Sequence, residues 1–210
     1  MRAGRPVSAP DTPARQRLLR RAHVLLYLTV AWNVIEGLVA VGSGVVAGSV
    51  ALVGFGLDSF IEVFAASVLL WRLRHEGSER AERAERRAVF LIGITFWLLA
   101  AYILFAAGSS LGRAEEPAES LVGIVLSLVS LTVMPFLGLS KRSCGVRLGS
   151  PALVAESTET LICSYLSLTL FIGLFFNAAL GWWWADPAAA LAMVPWLARE
   201  GWEGIRGEED

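Results

Sequence analysis

Residues 48–73 read GSVALVGFGLDSFIEVFAASVLLWRL, an apolar run with two acids, Asp58 and Glu62, near its middle. A helix needs roughly 20 residues to cross a bilayer core of about 30 Å, and this run is long enough. A spacing of four residues places both carboxylates on one helix face, about 6 Å apart along the axis. The stretch therefore predicts a transmembrane helix with a pair of acids inside the membrane.

The whole chain has the composition of a membrane protein. Of its 210 residues, 55% are hydrophobic and only 18% are charged, whereas about a quarter of the residues are charged in an average soluble domain. The apolar residues form continuous blocks, which predict helices because the strands of a barrel would alternate polar and apolar residues. The predicted fold is all-α with six transmembrane helices, at about 23–46, 49–71, 88–107, 120–139, 151–176 and 185–205.

Basic residues predict the orientation of these helices. Seventeen of the 18 lysines and arginines fall in the N-terminal tail, in the second-to-third and fourth-to-fifth connections, or at the C-terminal end. Because positively charged loops stay in the cytoplasm, both termini are predicted to be cytoplasmic. We expect residues 1–20 to form a disordered basic tail, 21–206 the membrane domain and 207–210 a short acidic tail. The net charge of −1 gives no indication of a nucleic-acid partner.

A short internal repeat relates the second and fifth predicted helices. GSVALV at residues 48–53 matches GSPALV at 149–154, with an offset of 101 residues. The same register aligns Asp58 with Glu159 and Glu62 with Cys163. About 12–13 Å of helix precedes the first acid of each pair, and the two helices are predicted to be antiparallel. Both pairs are therefore expected near the middle of the membrane, as in transporters built from inverted repeats.

The predicted metal ligands are Asp58, Glu62, Glu159 and Cys163. An ionised carboxylate at the bilayer centre costs at least ~2.5–3.5 kcal/mol, and a divalent cation offsets several carboxylates at once. We expect no arginine or lysine deep in the six spans, because Lys141 falls in the fourth-to-fifth connection. Pairing with basic residues is therefore the less favoured explanation. Protons would compete with the cation for the same oxygen atoms, as a proton–cation antiporter requires. The accessory candidates are Glu36, Asn33 and Glu156.

These residues resemble the transmembrane domain of the cation diffusion facilitator family. Its second span usually carries a histidine or aspartate followed four residues later by an aspartate, and LDSFIEV at 57–63 is similar. Its fifth span usually reads Ala-Asp-x-x-His-x-x-x-Asp, and AESTETLIC at 155–163 is similar. Asp186-Pro187 resembles the Asp-Pro that often opens the family's sixth span, where we predict Asp186 to be a structural N-cap. In this chain, no histidine occupies a paired position, and Cys163 stands where the last aspartate is expected.

The resemblance implies a divalent cation exporter, in a divergent short form that lacks the family's C-terminal cytoplasmic domain. It also implies a homodimer. Three carboxylates and one thiolate can be tetrahedral, which makes zinc the first choice, with manganese, iron, cobalt and cadmium as alternatives. We expect a multi-pass protein of the plasma membrane that exchanges the cation for protons, has no separate cofactor and is not an enzyme.

Three other functions are alternatives to cation export. The main alternative is a membrane protein that binds or senses metal without moving it. A membrane enzyme would require a nucleophile and a base, or a histidine, deep in the spans, and the sequence offers none there. A proton channel would use the same carboxylates and would conduct protons without metal.

Overall fold

The structure is a computed structural model that describes residues 13–74 and 79–206. Within those ranges it contains six α-helices and no strand, so the predicted all-helical membrane protein is confirmed. Five of the helices are long and apolar enough to cross a membrane, the third of them through its segment Arg86–Arg113. The helices are α1 Pro13–Ala47, α2 Val50–Arg74, α3 Glu79–Arg113, α4 Leu121–Leu148, α5 Pro151–Leu180 and α6 Ala185–Arg206.

Several helices extend beyond the predicted apolar segments. α1 begins at Pro13, so residues 13–20 belong to a helix and not to the predicted tail. Proline is well suited to the first turn of a helix, where its missing N–H needs no partner. α4 continues to Leu148 instead of ending near residue 139. The rest of the predicted N-terminal tail, residues 1–12, and the predicted acidic tail at 207–210 lie outside the described residues.

The helices alternate in direction through the bundle. A Cβ added to Gly123, near the start of α4, would lie 2.7 Å from Leu52 and 2.8 Å from Leu174. The start of α2 and the second half of α5 therefore meet at the same end of the molecule. The N–H of Ala118, just before α4, donates to the carbonyl of Ala47 at the end of α1 at 2.8 Å. α2 and α5 are thus antiparallel, as the sequence predicted.

Two helical hairpins, α1–α2 and α4–α5, share the same turn. Gly48 and Gly149 have φ angles of 68° and 65°, a conformation that a residue with a Cβ adopts only at a cost. The N–H of the serine that follows, Ser49 or Ser150, donates to a carbonyl five residues earlier at 3.0 Å in both hairpins. Each serine Oγ then accepts from a backbone N–H in the first turn of its helix. The two turns are equivalent and lie 101 residues apart.

Close helix contacts extend this equivalence into α1 and α4. A Cβ at Gly44 would lie 2.8 Å from the backbone nitrogen of Val53, and one at Gly145 would lie 3.1 Å from that of Val154. Both glycines allow the helices of their hairpin to approach closely, as small residues do between membrane helices. The repeat predicted from α2 and α5 alone therefore includes α1 and α4.

α3 and α6 form the third close pair. A Cβ at Gly93 would lie 2.8 Å from the backbone of Gly204, and one at Gly201 would lie 2.7 Å from Trp97. Small residues on both helices allow this approach. Both helices also contact α2, and α6 contacts α5. One face of α6 therefore lies against α2 and α5, the two helices that carry the predicted ligands.

Asp186 caps a different helix from the one the sequence predicted. It lies in the first turn of α6, which begins at Ala185. Its Oδ1 accepts from Ser49 Oγ at 2.5 Å, and its Oδ2 accepts from the N–H groups of Val50 and Ala51 at 2.9 and 3.4 Å. The first N–H groups of a helix have no partner within it. Because α2 and α6 begin at the same end of the bundle, Asp186 supplies those partners to α2.

Candidate metal centre

The centre is built where α2 crosses α5. Asp58 and Glu62 lie one turn apart on α2 and face Cys163 on α5, with one ligand atom of each within 4.8 Å of the other two. All three side chains are buried, with exposed fractions of 4%, 7% and 0%. Two carboxylates and a thiol at such separations, drawn from two helices, can bind one metal ion.

Glu159 lies one turn before Cys163 on α5, outside this three-residue cluster. It is half-buried and lines the same small cavity as the cluster. The cavity has a volume of about 10 Å³, which is roughly what one water-sized sphere needs. The residues that line it are Asp58, Glu62, Phe96, Glu159, Ile162, Cys163, Leu166, Trp196 and Glu200. The four predicted ligands therefore surround one cavity, and their binding of a cation stays a prediction.

Two buried acids of the bundle are held by hydrogen bonds from neighbouring side chains. Asn33 Nδ2 donates to Glu62 Oε2 at 2.7 Å, which fixes one oxygen of the cluster. Glu36 accepts from Trp32 Nε1 at 3.2 Å and from Ser59 Oγ at 3.1 Å, and it lies outside the cluster. Asn33 Oδ1 is buried without a partner among the described residues. Of these two accessory candidates, Asn33 forms a hydrogen bond with a residue of the cluster, and Glu36 forms none within the part of the chain that the structure describes.

Three acids that line the cavity have no such support. Asp58, Glu159 and Glu200 accept no hydrogen bond from any side chain or backbone group in the described part of the chain. An unpaired carboxylate removed from water is costly unless a cation or a proton neutralises it. Among these three acids, the free-energy cost of leaving the carboxylate unpaired is highest for Asp58, which is only 4% exposed. A cation in the cavity would supply the partner that these oxygen atoms lack.

The expectation that no lysine lies deep in the bundle is wrong. Lys141 is completely buried in α4, and its Nζ lies 2.7 Å from Glu156 Oε1 and 2.5 Å from Thr160 Oγ1. The sequence assigned Lys141 to a loop because the apolar run ends just before it, but α4 continues to Leu148. The third accessory candidate, Glu156, therefore has an internal cation as its partner. Glu156 Oε2 has no partner among the described residues.

Comparison with known protein families identifies the domain that carries this cavity. A sequence model of the cation efflux transmembrane domain matches residues 26–206, a range that reaches all six helices. The chain belongs to the cation efflux family. It is therefore a multi-pass membrane protein of a family of metal cation transporters, and this family is not one of enzymes. A comparison with curated proteins found no match.

In this cation efflux domain, sequence reasoning missed the contribution of α6 to the cavity. Glu200 and Trp196 line it together with the predicted ligands, and neither is among the predicted ligands or accessory candidates. Two signals were available. The four-residue spacing places both side chains on one helix face, and a charged residue within an apolar segment commonly marks a functional site.

Proposed function

We propose that this cation efflux domain exports zinc in exchange for protons, and that its ligands are Asp58, Glu62, Glu159 and Cys163. The observation that carries the proposal is the buried cluster in which ligand atoms of Asp58, Glu62 and Cys163 lie within 4.8 Å of one another. Acids at this depth are costly without a neutralising partner. One divalent cation would neutralise two of them at once.

The chemistry of the ligands supports zinc. Zinc binds thiolate, imidazole and carboxylate groups in tetrahedral sites, whereas magnesium and calcium prefer oxygen ligands alone. A cysteine between acids therefore favours zinc over the hard cations. Manganese, iron, cobalt and cadmium are the competitors to be ranked against it.

The proposed cycle uses the antiparallel α2 and α5 as the two sides of the site. The cation reaches the cavity from the cytoplasm, the bundle rocks, and the cation leaves on the opposite side. Protons then occupy the emptied ligands, because metal and protons compete for the same atoms. We further propose, from the basic residues and the family resemblance, that both termini are cytoplasmic and that a homodimer acts in the plasma membrane.

Zinc uptake by proteoliposomes tests this proposal. Purified protein is reconstituted into vesicles that are acidic inside, zinc is added outside, and a fluorescent indicator reports zinc in the lumen. Uptake is expected to need the pH gradient and to be lost in Asp58→Asn. Glu119→Gln is the control, since Glu119 is exposed and does not line the cavity. It should transport like the wild type.

Three other results would contradict the proposal in whole or in part. Tight zinc binding without pH-driven uptake would identify a metal-binding or regulatory protein instead. Proton flux through the vesicle membrane in the absence of any metal would identify a proton channel. Uptake that is driven equally well by manganese, iron, cobalt or cadmium would retain the transporter and refute the assignment of zinc.

A further inference from the structure

α6 adds an acid of its own to the wall of the cavity. Glu200 lines the cavity together with Asp58 and Glu159, and it is half-buried. Its neighbour Arg199 is engaged elsewhere, because Arg199 Nε lies 2.7 Å from Glu203 Oε1. Glu200 accepts no hydrogen bond and forms no ion pair within the described ranges. A carboxylate that faces the cavity without a partner has an oxygen available for a cation.

Glu159 and Glu200 lie closer than the cluster to one end of the bundle. At 1.5 Å per residue, Glu159 is about 12 Å from the start of α5, and Glu200 is about 9 Å from the end of α6. Glu62 and Cys163 are each about 18 Å from the corresponding ends of their helices by the same measure. These helix ends carry the basic residues that predict the cytoplasmic side. The two acids thus lie between that side and the buried cluster.

A second observation points to a ligand in the same cavity. Asp58, which is 4% exposed, lines it and has no hydrogen-bond partner in the described part of the chain. Trp196 also lines it, and its Nε1–H is buried without an acceptor among the described residues. An N–H group cannot bind a cation, but it can donate to a water molecule in the shell of a hydrated cation.

We propose that Glu200, together with Glu159, forms an outer binding position for the transported cation. From there the cation passes to Asp58, Glu62 and Cys163, while Glu159 remains one of its ligands. The inference rests on the proposed function, and it adds α6 to the ion path. Carboxylates from two different helices hold a divalent cation that keeps part of its water shell. Transfer to the deeper cluster then exchanges that water for the thiolate and the two buried carboxylates.

The rates and the equilibrium of zinc binding distinguish an outer position from a deep ligand. Zinc is mixed with purified protein in a stopped-flow instrument, and its transfer from a fluorescent indicator gives the association rate. Loss of a group that binds the ion only transiently, on its way to the deep site, changes the association and dissociation rates by the same factor. The equilibrium affinity is therefore preserved. Because acids that line a cleft raise the rate at which a cation enters it, we expect association to slow about tenfold in Glu200→Gln while the equilibrium affinity changes less than about threefold.

Two matched variants accompany Glu200→Gln. Glu119→Gln removes an exposed acid that does not line the cavity and should bind zinc at the wild-type rate. Glu200→Asp keeps the carboxylate and should recover most of the rate, which separates loss of the acid from damage to the fold. A Glu200→Gln variant that associates as fast as Glu119→Gln would overturn the inference. A fall in equilibrium affinity as large as the fall in rate would also overturn it, because it would place Glu200 in the deep site.

This experiment does not depend on transport. If the wild type bound zinc but failed to take it up under a pH gradient, the proposed export would be refuted. The binding rates would still decide whether Glu200 belongs to the path of the ion. The two failures are therefore distinguishable.

Discussion

Replacing Lys141 by methionine tests the least expected feature of the bundle, a buried ion pair between α4 and α5. Methionine has a similar length and no charge, so the change removes the ammonium group with little change in volume. Lys141 Nζ donates to Glu156 Oε1 at 2.7 Å and to Thr160 Oγ1 at 2.5 Å. Because Glu156 Oε2 has no partner in the described ranges, the variant leaves a buried carboxylate without any.

Removing one partner of a buried ion pair costs about 3–5 kcal/mol, mostly because the remaining charge is left unpaired. We therefore expect Lys141→Met to lower the free energy of unfolding by about 4 kcal/mol. Glu156→Gln in the same chain removes the unpaired charge. The double variant should therefore be clearly more stable than Lys141→Met alone.

Equilibrium unfolding in mixed micelles, with an increasing fraction of SDS and tryptophan fluorescence as the signal, measures these differences. Arg142→Met is the matched control, since Arg142 is the next residue and its side chain is exposed. It should stay within about 0.5 kcal/mol of the wild type, as substitutions on the surface usually do. A Lys141→Met variant as stable as Arg142→Met would refute the buried pair. A double variant no more stable than Lys141→Met would refute the explanation by an unpaired charge.

The same unfolding assay tests two further contacts, and a binding assay tests a third. Gly44→Ala should lower the free energy of unfolding by about 1–3 kcal/mol through overpacking, because its Cβ would lie 2.8 Å from the backbone of α2. Gly42→Ala is the control, since a Cβ there would have nothing within 4 Å. Equal stability of the two variants would contradict the close packing of α1 on α2. Asp186→Ala should cost about 1–2 kcal/mol by uncapping α2, and wild-type stability would show that the cap contributes nothing. Asn33→Leu should weaken zinc binding about tenfold in an equilibrium titration, by releasing Glu62; unchanged affinity would exclude a role for Asn33 in positioning it.

The sequence alone predicted the helices, because a membrane allows the backbone few kinds of structure. Continuous apolar blocks must form helices that satisfy their own N–H and C=O groups. Each of the six predicted segments corresponds to one helix of the structure, and only Ser49 and Ser120, the first residues of two segments, lie just before their helices. The offset of 101 residues also predicted that Asp58 and Glu159 belong to equivalent helices. Both of them line the cavity. These are properties of pattern and spacing, which a single sequence records.

The features that the sequence missed depend on contacts between helices. Lys141 follows an apolar run and precedes Arg142, so it is typical of the end of a span. Its burial follows from Glu156 and Thr160, which face it from another helix. Glu200 is absent from the predicted ligands for a similar reason, since only the packing of α6 against α2 and α5 brings it to the cavity.

The proposed function requires that one ion is bound jointly by acids of α2 and by Cys163 of α5. X-ray absorption at the zinc edge, on purified protein loaded with one zinc ion per chain, identifies the atoms that bind this ion. We expect one sulfur ligand at about 2.3 Å and oxygen ligands at about 2.0–2.2 Å. The sulfur should be lost in Cys163→Ser and kept in Cys144→Ala, since Cys144 donates to the carbonyl of Leu18 at 3.2 Å and lies outside the cluster. A zinc shell without sulfur in the wild type, or one that keeps its sulfur in Cys163→Ser, would rule out joint binding by the two helices.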